Sequence, residues 1–128
     1  MTPADLRAVA ARVMAGEATK EEIALAFGWM KKDVHRSFYW QPPKDDPAHH
    51  SWSSRVPDFL HSLDAADLLM APMRERGWVS VIAVRIDGVF VGSAFSRKHD
   101  GAQGATAPTE PRARTALALL CRAAEGEA

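Results

Sequence analysis

The sequence predicts an α+β fold. The expected form is a small three-layer α-β-α sandwich, with an antiparallel hairpin-based sheet and helices on both faces. Three observations carry this. The stretch WVSVIAVRIDGVFVGSAFSR, residues 78–97, holds two apolar runs rich in β-branched residues around Asp87-Gly88, a favoured hairpin turn of type I′. Both sides of its first run are apolar: Trp78, Ile82, Val84 and Ile86 point one way, and Val79, Val81 and Ala83 the other. A hairpin wetted on one side would alternate polar with apolar, so the sheet is expected to be covered twice. Finally, Ala113, Ala116, Leu117, Leu120, Cys121 and Ala124 form one helical stripe of mostly small residues, suited to close packing on a sheet.

The remaining elements follow in order. Thr2 caps a first helix with Pro3 at its first position, and Leu6, Val9, Ala10 and Val13 recur on one side until Gly16. Thr19 with Glu22 reads as a capping box for a short second helix, with Ile23, Ala24 and Phe27 on one stripe and Gly28 as its end. Residues 29–58 show no sustained period; SFYW reads as a short strand or an aromatic plug, and PPKDDPAHH as turn and loop. Ser62 caps a third helix with Asp64 in its first turn. Leu63, Ala66 and Leu69 or Met70 would face the core, and Pro72 would break or kink it. Gly92, Ser93 and Ala94 allow something to approach the second strand closely. KHDGAQGATA reads as a loop with a short third strand at 105–107, and Thr109 caps the last helix with Glu110 and Pro111 behind it.

One domain of 128 residues is therefore expected. It divides into a helix pair (1–28), a long aromatic and proline-rich connection (29–61), and a helix, hairpin and C-terminal helix (62–128). Sixteen basic and sixteen acidic residues cancel, so the chain as a whole exerts no pull on nucleic acid or an anionic membrane. The single cysteine, Cys121, leaves no internal disulfide and suits a reducing compartment. With no secretory leader in MTPADLRAVAARVMAGE and no long apolar run, the cytoplasm is the expected location and no membrane is engaged.

Four stretches resemble the phage ABA sandwich domain family: DLRAVAARVMAGEATKEEIALAFGW, VPDFLHSLDAADLLM, RGWVSVIAVRIDGVFVGSAF and ATAPTEPRARTALALLCRAA. They match its opening helix pair ending near Gly-Trp, its Asp-Ala-Ala helix start, its tryptophan-led hairpin and its closing helix. Leu60, where Ser or Thr is usual, and an extra Pro111 depart from the pattern. The resemblance implies a three-layer sandwich encoded by phage or prophage and brings no catalytic residues with it.

No reaction motif stands out, and the chain reads as a non-enzyme without a cofactor. Adjacent His49 and His50, with His35, His61 and His99 elsewhere, lack metal-ligand spacing, so no metal is expected. Cys121 lies in the apolar stripe of the last helix, where a thiol is inert packing. DGAQGATAPTE places glycines before a helix start but matches no phosphate-binding pattern, and Glu110 would repel an anion there. Glu21-Glu22, Asp45-Asp46, Asp58, Asp64 and Asp67 are not drawn into a pocket by any pattern.

Residues 27–52 are the candidate. Trp29, Lys31, Lys32, Arg36, Tyr39, Trp40, His49 and His50 are the binding residues to be tested. Such a set suits a protein hot spot, or a surface that stacks bases and neutralises phosphates. The competing reading makes Trp29, Phe38 and Trp40 staples that fasten a long loop, with the lysines merely solvated. The function expected is a small phage or prophage accessory protein that binds a host or phage protein, or itself, with countering host defence among its roles. The alternative is a nucleic-acid or nucleotide binder using residues 29–44. A helix-turn-helix reader built on the opening helix pair ranks last, because KEEIALAFGW offers few base-reading side chains.

Overall fold

A computed structural model describes residues 1–44, 46 and 50–127. Four helices and two antiparallel sheets follow in the order α1 (Pro3–Ala15), α2 (Lys20–Ala26), β1 (Met30–Val34), β2 (Ser37–Gln41), α3 (Leu63–Glu75), β3 (Val79–Val84), β4 (Phe90–Ser96), β5 (His99–Ala107) and α4 (Glu110–Glu127). Helices pack against the sheet, and the fold class is α+β as expected.

The helix boundaries are set by the residues read as caps. The Thr2 hydroxyl accepts from Asp5 N, and the Asp5 carboxylate accepts from Thr2 N, closing a capping box at the start of α1. Gly16 ends that helix with φ at 78°, a conformation that needs no Cβ. Thr19 and Ser62 cap α2 and α3 through bonds from Glu22 N and Ala65 N. Pro72 does not break α3, which runs on to Glu75. Leu63, expected in the core, stands exposed in the first turn, while Ala65, Ala66, Leu69, Met70 and Met73 are buried.

Helix α4 organises the molecule. Ala113, every residue from Thr115 to Cys121, Ala123 and Ala124 are buried, so it is covered on all sides rather than along one stripe. It packs on α1, α3, β4 and β5 together. At Gly92 a Cβ would lie 3.2 Å from a Leu117 methyl, which accounts for the small residue there.

The three-stranded sheet has the order β3-β4-β5, with Val79 opposite Phe95 and Gly92 opposite Ala105. Its turn corrects the type I′ expectation. Gly88 N bonds Arg85 O and Arg85 N bonds Val89 O, so the loop is three residues, with Gly88 at φ 86° and Asp87 outside the positive-φ region. That is a turn closed by a glycine bulge. The third strand is longer than expected and spans nine residues, His99–Ala107. The layering also differs in one respect. Among the described residues no helix covers the outer face of this sheet, where Val79, Val81 and Phe95 are 51%, 62% and 53% exposed. The reason is that the alanine-rich α4 needs cover on every side, and α1 and α3 supply it there instead.

Candidate functional site

The long connection is not a plain loop. Its first part is a β-hairpin in which Lys31 faces Trp40, Lys32 faces Tyr39 and Asp33 faces Phe38. The tight turn between the strands is made by His35, with φ at 56°, and Arg36; His35 is the sole non-glycine residue with positive φ among those described. Strand β1 is exposed along its whole length. The other side of β2 is partly paired too: Trp40 N donates to Ser53 O at 2.6 Å, and Ser53 N donates back at 3.0 Å.

Trp40 is buried, and Trp29 is half-buried with its ring set edge-on to Phe59 at 6.5 Å. These two do fasten the segment. Phe59 is fully buried, and its carbonyl accepts a 2.8 Å bond from the buried Thr115 hydroxyl of α4. Phe38, expected as a third fastener, is instead 44% exposed, with Lys31 Nζ 4.2 Å from its ring centre.

Strand alternation places Met30, Lys32, Val34 and Tyr39 on one side of the hairpin. Tyr39 stacks on Trp52, with ring centres 4.6 Å apart and planes 16° from parallel. Trp52 itself is 61% exposed, and Met30 and Val34 are exposed as well. Residues 39 and 52 are thirteen apart in sequence, and the Trp40–Ser53 pairing brings them together. Trp52 is therefore a site residue that sequence reasoning passed over; its signal was a tryptophan amid small polar residues at the end of a loop. Lys32 and Arg36 are exposed on the same hairpin. His50 is exposed beyond it, and His49 lies outside the described residues, as do Asp45 and any pairing of it with Asp46.

Trp29 also borders a cleft of about 490 Å³ between the connection and the helices, lined by Phe27, Pro43, Leu68, Pro72, Arg76 and Arg122 among others. The Arg122 guanidinium lies 5.5 Å from the Phe27 ring centre. Arg76 is held by Glu125, at 2.7 and 2.9 Å. Glu125 also accepts from Trp78 Nε1 at 3.3 Å, and Trp78 stacks on His99 at 5.3 Å. Burial pushes the Glu125 carboxyl up, but Arg76, Trp78 and His99 together outweigh that and hold it below the ordinary range.

The other candidate groups are dispersed. Burial, reinforced by Glu125, pushes the Cys121 thiol up to about 12. Asp67 is paired with Arg74 and Arg114, and Asp58 bonds His61 on the surface. Among the described residues no three of His, Cys, Asp or Glu gather closely enough to hold a metal ion, and no helix is long and apolar enough to cross a membrane. No family model, curated protein or solved structure matches the chain.

Proposed function

We propose that this chain is a small, non-enzymatic accessory protein of phage or prophage type that works by docking another protein on its aromatic hairpin. The observation that carries the reading is the Tyr39–Trp52 stack, built on a hairpin whose strand β1 is exposed throughout and with Trp52 left open to solvent. Large aromatic rings held rigid by stacking present apolar area at little entropic cost, and Tyr, Trp and Arg dominate protein hot spots. Exposed Met30 and Val34 extend the apolar area, and Lys32 and Arg36 supply a polar rim. The resemblance to the phage ABA sandwich domain supports the genomic setting, and action in the cytoplasm of a bacterial host goes with it.

The test is a photo-crosslinker placed at Lys32 and exposed to host lysate. A discrete protein adduct that disappears in the Tyr39→Ala/Trp52→Ala double variant supports the reading. Adducts that persist unchanged in that variant, or none at all, overturn it. A second reading has the same stack holding single-stranded nucleic acid, because Lys32 sits directly across from Tyr39. Asp33 within β1 and the neutral chain weigh against it. Quenching of Trp52 fluorescence by single-stranded DNA at low salt would favour it over protein docking. Trp52 is the right reporter because Trp40 is buried.

A further inference from the structure

The two edges of the three-stranded sheet are treated differently. Along β5 lies α1: Thr106 N donates to Met14 Sδ at 3.5 Å, and Arg7 reaches Gln103 at 3.3 Å. Along β3 the described residues supply no such cover. Arg85 N bonds Val89 O across the hairpin, so in this ladder the odd-numbered residues Val79, Val81 and Ala83 bond β4. The N–H and C=O groups of Ser80, Ile82 and Val84 therefore turn to the free side. None of them has a backbone partner among the described residues. Trp78, one step earlier in the same alternation, sends its N–H outward to Met73 O at 3.1 Å, which marks where helical cover stops.

An open edge is normally blunted by a lysine, a proline, a bulge or a covering element. VSVIAV holds no charge, no proline and no glycine, and its register with β4 runs without a shift. Exposed apolar side chains stand beside it on both surfaces of the sheet: Val79, Val81 and Phe95 on the outer one, Val84 on the inner one, where it is 61% exposed.

We infer that the β3 edge is the seat of a second copy of this chain, joined by antiparallel β3–β3 pairing about a two-fold axis at Ile82. The free groups select this register. With Ile82 opposite its own counterpart, Ser80 lies opposite Val84 of the other copy. All three outward N–H groups of each chain then meet outward carbonyls. Val81 falls beside Ala83 of the other copy on the outer face, and no like charges are opposed along the strand. The result is one six-stranded sheet in which Val79, Val81 and Ala83 of the two copies lie side by side on the outer face. A single short ladder buries well under the roughly 800 Å² per partner of a standard interface. The pair is thus a weak one, formed at high concentration and lost on dilution.

This inference does not rest on the aromatic hairpin. Sedimentation velocity from micromolar to millimolar protein is expected to show a reversible monomer–dimer equilibrium. Val84→Lys puts a charge at an exposed edge position, and Ser80→Pro removes an N–H that the monomer does not use. Each is expected to abolish the dimer while circular dichroism stays that of the native monomer. Tyr39→Ala/Trp52→Ala is expected to leave the dimer intact. Register is read by Ile82→Cys, which should oxidise to a disulfide-linked dimer because residues opposite each other in such a ladder lie within disulfide reach. Val84→Cys should not, and buried Cys121 does not compete. A monomer at every concentration overturns the inference. So does a dimer that survives both edge variants, or one lost with Tyr39→Ala/Trp52→Ala.

Discussion

Thr115→Val tests whether the long connection is held to the body by one buried hydrogen bond. Valine matches threonine in shape, so the change removes a hydroxyl and leaves packing nearly as it was. Thr115 is wholly buried in α4, and its hydroxyl donates to Phe59 O at 2.8 Å. No other donor reaches that carbonyl among the described residues. Removing the donor forfeits a net hydrogen bond and strands a buried acceptor, together about 2 kcal/mol. Against a urea slope of about 2 kcal/mol/M for a domain of this size, the midpoint should fall by about 1 M with an unchanged slope. Thr115→Ser keeps the hydroxyl and loses a methyl, a change of about 1 kcal/mol. The expected order of stability is wild type, then Thr115→Ser, then Thr115→Val. A Thr115→Val midpoint within scatter of wild type, or above that of Thr115→Ser, refutes the reasoning.

Two further outcomes follow from the end of α4. Glu125→Gln should cost about 1–2 kcal/mol at neutral pH, because the carboxylate serves both Arg76 and Trp78. Its folded-state pKa is depressed, so this stabilisation is present above the ordinary carboxyl value of 4.5 and is lost as pH falls through the lower folded value. Thermal melts of wild type and variant should therefore converge in acid, and a gap that stays constant to pH 3 would contradict the assignment. Cys121, buried and with its thiol pushed up to about 12, should resist a disulfide-exchange reagent at neutral pH until the protein unfolds globally. Labelling faster than global unfolding would show that the end of α4 opens locally.

What the sequence made legible depended on how local each signal is. Thr2, Thr19 and Ser62 cap helices by bonds to residues three positions on, and all three were readable. The β1–β2 hairpin was not, because its turn is His35-Arg36 and carries none of the glycine or asparagine chemistry that announces a tight turn. Most of β5 was hidden by its glycines and alanines, which have low strand propensity. It is a strand because β4 pairs with it and α4 covers Ala105 and Ala107. Within the site, Trp40 and Trp29 were readable as anchors. Phe38 was not separable from them until the hairpin's attachment was known.

The apolar pattern of β3 raises a deeper difficulty. Val79, Val81 and Ala83 on one side, with Ile82 and Val84 on the other, predict two layers of helices. Periodicity reports only that water is unwelcome on both faces; it does not report what displaces it. Here α4 consumes α1 and α3, and among the described residues no helix is left for the outer face. An apolar strand with an open edge and an open face is costly for an isolated domain to keep in water. Its charge-free sequence is therefore better explained by a partner strand than by the monomer fold. The two surfaces of this protein differ in the same respect: Lys32 and Arg36 stand within the aromatic hairpin, as the proposed docking site requires, whereas β3 itself carries no charge from Val79 to Val84.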